Sequence, residues 1–285
     1  MKEFKNKVAV ITGAANGIGK ELAYESARRE MKVVLVDIDE TNLKKVEQEL
    51  SDMGTQVLSI TADVTLYENV ERVKDETLNK FGQVDLLFNN AGVVVSGPVW
   101  EMPTKEWDYI TASNIHSVIY GMKAFIPVMM EQGTDCHIVN TASVAGLLST
   151  PGMPAYHMSK FANVGLTEAT NHQLRAMNSN IKMSVYCPGF IQTDLHNCDD
   201  RRPQRFAIDP DEPYYQSTSY MLGREKARYV IETGIPSDSV GLAVFTAIEE
   251  ERFYILTHPQ YNSVIGKRIK DMLEGIEPDP SMFIR

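Results

Sequence analysis

The feature that most limits what this chain can fold into is a strand-like run, KVAVIT at 7–12, which breaks directly into TGAANGIG at 12–19 and then into a helical pattern over 20–30. β-branched residues favour extended backbone, and glycines behind them allow a turn too tight for residues carrying a Cβ. Leu22, Ala23 and Ala27 share one face of the helix that follows. A strand, a glycine turn and a helix in that order set free N–H groups and the positive end of a helix dipole beside the turn, which is a seat for phosphate. Gly13 reads as the tight turn, Gly17 as the point of backbone approach to a pyrophosphate, and Gly19 as the close contact of helix with strand. Asn16 and Ile18 complete this loop, and an ordinary glycine-rich turn is the plain structural alternative.

The unit recurs. VVLVD at 33–37 precedes a helix over 41–53, VLSITAD at 57–63 precedes a charged helix over 66–80, and VDLLFNN at 84–90 precedes a helix-rich stretch over 104–130. HIVNTAS at 137–143 and KMSVYCPG at 182–189 supply two further strands. Such alternation predicts one α/β domain over 1–285, a doubly wound parallel sheet with helices on both faces, because parallel crossovers need helices and bury the strands. The character changes after Gly189. Between 194 and 236 come charge doublets, Pro203, Pro210, Pro213 and tyrosines, with helical periodicity from about 221 to 233, so this segment reads as a helical excursion within the same domain. Ser237 then reads as the cap of a helix through Ile248, followed by a strand at 253–257 and a helix over 261–273.

Composition narrows the partners. A formal charge of -10 repels phosphate backbones and anionic membrane surfaces, so neither nucleic acid nor membrane is expected. No apolar run reaches the ~18–20 residues of a bilayer crossing, and the N-terminal run is too short and too glycine-rich for a secretion signal. Cys136, Cys187 and Cys198 form no CxxC pair, which argues against a disulfide framework and for a reducing cytoplasm. His116, His157 and His172 lack metal-ligand spacing, so no metal is expected.

Two further groups carry chemistry. Asp37 ends the second strand, where a dinucleotide fold places a carboxylate on the adenosine ribose hydroxyls. A carboxylate there repels a 2′-phosphate, and no arginine or lysine flanks it in the sequence, which favours NAD over NADP; a turn cap is its structural alternative. Tyr156 and Lys160 lie one helical turn apart behind Pro154, so both leave the same helix face. A phenol titrates near pH ~10 in water, and a neighbouring ammonium favours its anion, so the pair is expected to lower the tyrosine pKa and make a usable acid and base. Taken alone, the pair also reads as a surface contact.

With NNAG at 89–92, NTASVAG at 140–146, YHMSK at 156–160 and PGFIQT at 188–193 beside TGAANGIG, the chain resembles the short-chain dehydrogenase/reductase family over about residues 5–195. The resemblance implies a Rossmann fold, NAD(H) as cofactor, and a small-molecule alcohol or ketone as substrate. It also implies a proton carried by Tyr156, a Lys160 that holds the nicotinamide ribose, a Ser143 that bonds the substrate oxygen, and an Asn114 that holds a relay water. Asp63 and Val64 would meet the adenine; Asn90, Ala91 and Gly92 would line the adenosine side; Pro188, Gly189, Ile191 and Thr193 would lie along the nicotinamide. Strand support for Asn90, a strand-end cap for Asp63 and a helix cap for Thr193 stand as alternatives. The variable segment 194–236 would form the substrate lid, with the surplus length lying there and after Leu273. Leu147, Leu148 and Met153 would make an apolar wall, and the overall look is similar to bacterial members that include hydroxysteroid dehydrogenases. Sugars, acyl thioesters and small ketones stay open as substrates, as does a non-catalytic NAD-binding sensor. A homodimer or homotetramer through 104–130 and 154–176 is expected of such a protein.

Overall fold

The computed structural model describes residues 1–279. Seven parallel strands form one sheet: β1 (Val8–Thr12), β2 (Lys32–Asp37), β3 (Val57–Thr61), β4 (Leu86–Asn89), β5 (Cys136–Thr141), β6 (Ile181–Tyr186) and β7 (Tyr254–Ile255). Their order across the sheet is β3-β2-β1-β4-β5-β6-β7, so the winding reverses between β1 and β4. The helices leading away from those two strands diverge, and they open a crevice at the carboxyl ends of the strands.

On one face α1 (Gly17–Arg28), α2 (Glu40–Asp52) and α8 (Val240–Glu249) bury Leu22, Leu43, Leu50 and Phe245 against β1 and β2. On the other, α3 (Tyr67–Phe81), α5 (Ser117–Gln132) and α6 (Pro154–Ala176) bury Val70, Val73, Phe125 and Leu174. Each such side chain, fully removed from water, contributes roughly 1.5–3 kcal/mol. The MKAFIPVMM segment of α5 is largely core: Met122, Ala124, Phe125 and Met129 are buried.

Three expected boundaries move. Most of the apolar strand runs extend past the last ladder bond, so Asp63, Asn90, Ser143 and Gly189 lie in the loops behind β3, β4, β5 and β6. The stretch 104–130 is α4 (Thr104–Thr111) and α5 joined by a π-helical turn at Ala112–His116, which contains Asn114. Such an extra residue in the ladder commonly marks a functional position. Ser237 caps no α-helix; it opens a 3₁₀ turn, Ser237–Ser239, and α8 begins at Val240.

The excursion 194–236 consists of 3₁₀ turns at Leu195–Arg201, Gln204–Phe206 and Pro213–Gln216, then α7 (Thr218–Glu232). Its helix starts three residues before the expected point because the Ser217 hydroxyl accepts from the Tyr220 N–H at 3.2 Å. The last helix among the described residues is α9 (Asn262–Glu274), and only part of the expected surplus after Leu273 falls within the described residues.

Candidate active site

A cavity of about 840 Å³ runs along the carboxyl ends of the strands. Its floor at one end is the glycine turn. Gly13 has φ +68° and sits so close to Ala91 that a Cβ would lie 2.9 Å from its Cα; a Cβ on Gly19 would lie 2.0 Å from the Gly13 carbonyl oxygen. Those two positions let α1 begin directly under the cavity, so its free N–H groups face the space above. Asn16, Gly17 and Ile18 line that space, while Gly19 lies beneath it as helix packing. The Asn16 side chain makes no cap bond to α1.

Asp37 lines the same end. Its carboxylate accepts from the Ala15 N–H at 2.9 Å and the Asp39 N–H at 3.0 Å. Burial raises its pKa, while those two backbone bonds and the charge of Arg201 oppose the rise. Sequence neighbours gave no cation here; the excursion brings Arg201 from far along the chain. That guanidinium is engaged by Asp194, whose side chain lies 2.5 Å away and whose carbonyl accepts at 3.0 Å. Asp63 lines the cavity and also caps its own turn, accepting from the Thr65 N–H at 3.0 Å, and it pairs with Arg205 at 2.7 Å. Val64, Ala91 and Gly92 line the wall between these groups.

Asn90 combines a place in the cavity wall with support of the strands. It lines the cavity, its amide donates to the Thr12 carbonyl at 3.0 Å, and its oxygen accepts from the Thr141 hydroxyl at 3.2 Å, so it ties the ends of β1 and β5 together. Pro188, Gly189, Ile191 and Thr193 line the opposite side. His258, which the sequence did not single out, fixes that segment: its Nδ1 accepts from the Gly189 N–H at 2.9 Å.

Ser143, Tyr156 and Lys160 meet at the other end. The Ser143 oxygen accepts from the Ala145 N–H at 3.1 Å and reaches the Pro188 carbonyl at 3.3 Å. Pro154 opens α6, where its missing N–H costs nothing, and this sets Tyr156 and Lys160 on the cavity side. The Lys160 ammonium donates to the Thr141 carbonyl at 3.1 Å and stands 5.6 Å from the centre of the Tyr156 ring. The expected depression of the tyrosine pKa does not occur in this state. Burial pushes the Tyr156 phenol up to about 12, against a hydrogen bond with Ser143 that pulls it down. Burial also brings Lys160 down to about 8. Desolvation is the largest cause of both shifts.

Asn114 stands behind this cluster, outside the cavity wall. Its amide donates to the Val93 carbonyl and to the Ser159 hydroxyl, each at 3.0 Å, and its oxygen accepts from the Val93 N–H at 2.8 Å. Leu148 and Met153 form part of the cavity wall as expected, whereas Leu147 packs with Ala142, Val164 and Val185 instead. His157 is structural, joining the Ala145 carbonyl to Thr150. Among the described residues, no group of three metal-ligating side chains stands together.

The family model described as short chain dehydrogenase matches residues 7–203. The chain belongs to the short chain dehydrogenase family. It is 50% identical to a "CLA biosynthesis dehydrogenase/reductase" of Lactiplantibacillus plantarum over 98% of this chain and 97% of that one. It is 35% identical to "3beta-hydroxysteroid dehydrogenase 2" of Eggerthella lenta over 66% of this chain and 72% of that one. Among solved structures, a short chain dehydrogenase/reductase from Burkholderia phymatum in complex with NAD superposes with a TM-score of 0.95 at 37% identity, covering 98% of each chain. The protein is thus an oxidoreductase of this family.

Proposed function

We propose that this protein interconverts a secondary alcohol and a ketone on an apolar molecule, with NAD(H) held between the glycine turn and Lys160. The observation that carries the reading is one continuous cavity. It joins a phosphate seat and a ribose carboxylate at one end to Ser143, Tyr156 and Lys160 at the other. The residues fit a dinucleotide: the close approach at Gly13 and Gly19 clears the turn, and Asp37 is poised for two ribose hydroxyls. The cofactor, when bound, supplies or accepts the hydride.

The chain's own residues do the rest. A phenol held near 12 is protonated at neutral pH, so Tyr156 rests as the proton donor of the reduction direction. The Ser143 hydroxyl, whose bond to the Pro188 carbonyl is a long 3.3 Å, is able to turn to the substrate carbonyl oxygen as charge builds there. Lys160 holds a nicotinamide ribose, and Asn114 positions α6 through Ser159. Asp37 favours NAD over NADP, since Arg201 is spent on Asp194 and offers no free cation to a 2′-phosphate.

Val93, Leu148, Met153, Leu222 and Val230 support an apolar substrate. A hydroxysteroid is one member of that class, and the relative of that name covers only part of this chain. Three buried free thiols suit a reducing compartment, and Met130 and Met158, exposed on α5 and α6, suit a homodimer or homotetramer through those helices.

The test is NADH and NADPH oxidation against a panel of apolar ketones, sugars and acyl thioesters. Turnover of apolar ketones with NADH, lowered about a thousand-fold in Tyr156→Phe, is the expected result. Cofactor binding without turnover of any ketone would point to a sensor and overturn the reading.

A further inference from the structure

α7 faces the cavity with Ser219, Leu222, Gly223, Lys226, Val230 and Ile231, a stripe at helical spacing. Lys226 is the one charged side chain in that stripe. The other charged groups of the cavity are already matched to roles or partners: Asp63 with Arg205, Asp194 with Arg201, Asp37 with backbone N–H groups, and Lys160 with Thr141. Among the described residues Lys226 has no hydrogen bond or ion pair, and the residues three and four positions away on α7 are Leu222, Gly223, Tyr229 and Val230, none of them acidic. Lys226 is exposed at the rim, so water solvates its ammonium in the open site and leaves it available to a negative charge on what enters.

The rim itself is apolar. Leu222 lines the cavity and is 58% exposed, and Met221 beside it is 55% exposed. The loop that carries Pro98 of the cavity wall and the exposed Trp100 is fastened to the start of α7 by Ser219 and Glu101. The whole molecule carries a charge of -10, which by itself disfavours approach of an anion, so an anionic substrate needs a local cation to be retained.

Building on the function proposed above, we infer that the substrate is an apolar secondary alcohol or ketone that also bears a carboxylate, and that Lys226 binds the carboxylate at the cavity mouth. The reacting carbon then lies at Tyr156 and the chain between the two groups lies along the apolar wall. Lys226 touches the substrate away from the reacting bond, so it sets which molecules are accepted and leaves the proton transfer to Tyr156.

The experiment compares straight-chain acids, with a secondary hydroxyl at varied distances from the carboxylate, with their methyl esters in the intact protein and in Lys226→Gln. Expected is a preference in kcat/KM for one acid over its ester that falls about ten-fold in the variant, mostly through KM. If acid and ester are used equally by the intact protein, or if the preference survives in Lys226→Gln, the inference fails while the oxidoreductase reading stands. If neither acid nor ester is turned over while another apolar ketone is, the inference alone fails; only if no ketone of the wider panel is turned over does the oxidoreductase reading fail as well. Lys226→Arg is expected to keep most of the preference, which separates loss of charge from damage to α7.

Discussion

The sheet and the excursion at 194–236 are held by different physics. The sheet's strands and their covering helices meet through aliphatic and aromatic side chains, with Val8, Ile11, Leu35 and Leu86 wholly buried. The excursion is held by charge and phenol. Arg202, 4% exposed, donates to the fully buried Glu106 of α4 at 2.8 Å and also pairs with Asp199 at 2.7 Å. The Arg202 guanidinium stacks 4.3 Å over the Tyr109 ring, and Tyr214, Tyr215 and Tyr220 pack against one another at 5.1–5.2 Å. Apolar burial is non-directional and makes a sheet that unfolds as a unit, whereas paired charges give a geometry that holds or releases at particular bonds. A segment that must let a ligand in gains from the second kind of fastening.

The sheet half makes an exception where the chemistry is, and that exception gives the largest expected effect. Lys160 is 5% exposed, and burial lowers its pKa from 10.5 to about 8. Between those values the unfolded chain binds a proton that the folded chain has released, so stability from this group rises as pH climbs from about 8 to 10.5. Below pH 8 the buried ammonium carries its full cost. Lys160→Met is therefore expected to lower activity by about a hundred-fold or more and yet raise Tm at pH 7 by roughly 3 °C, a gain that shrinks by pH 10. A variant that loses both activity and Tm at pH 7 would show that Lys160 belongs to the structural core.

The contrast between the halves is tested next by Arg202→Met, which leaves the buried Glu106 without its cation and Asp199 with only Arg224 at 3.7 Å. Removing one partner of a buried pair costs about 3–5 kcal/mol. We expect that cost as hydrogen exchange across 195–232, with the strands β1, β4 and β5 still protected. Leu35→Ala, costing about 2–5 kcal/mol in the sheet, is expected to raise exchange in both regions. If Arg202→Met exposed the central strands as well, the two halves would be one cooperative unit.

The same contrast explains what could be read in the sequence. The glycine turn, Asp37 and the Tyr156 and Lys160 pair are legible because each acts within a few residues of its neighbours, and hydrophobic period alone places the strands that carry them. Strand ends are misjudged because Asp63, Ser143 and Gly189 continue apolar runs after the ladder has ended. The π turn around Asn114 leaves no mark in the hydrophobic pattern, since the helix continues on both sides. Arg201, Lys226 and His258 reach the site only by tertiary folding. The excess of arginine and tyrosine in the excursion was visible, but nothing local says which carboxylate each arginine meets.

The smallest effect concerns how the excursion is divided. Its first part, with Arg201 and Pro203, lines the cavity where Asp37 and Asp63 stand, and Arg205 grips Asp63 from outside; α7 lies over the apolar chamber. On the function proposed above, the segment expected to cover the substrate would also clasp the adenosine end of the cavity. Arg205 is 38% exposed, and an ion pair this wet is worth at most about 1 kcal/mol. Arg205→Ala is expected to speed NADH release about two- to five-fold in stopped-flow fluorescence while the substrate KM stays within two-fold. Added salt should do the same to the unmodified protein and little to the variant, because screening and substitution remove the same bond. A rise in substrate KM with unchanged NADH release would place the first part of the excursion over the substrate and erase the division.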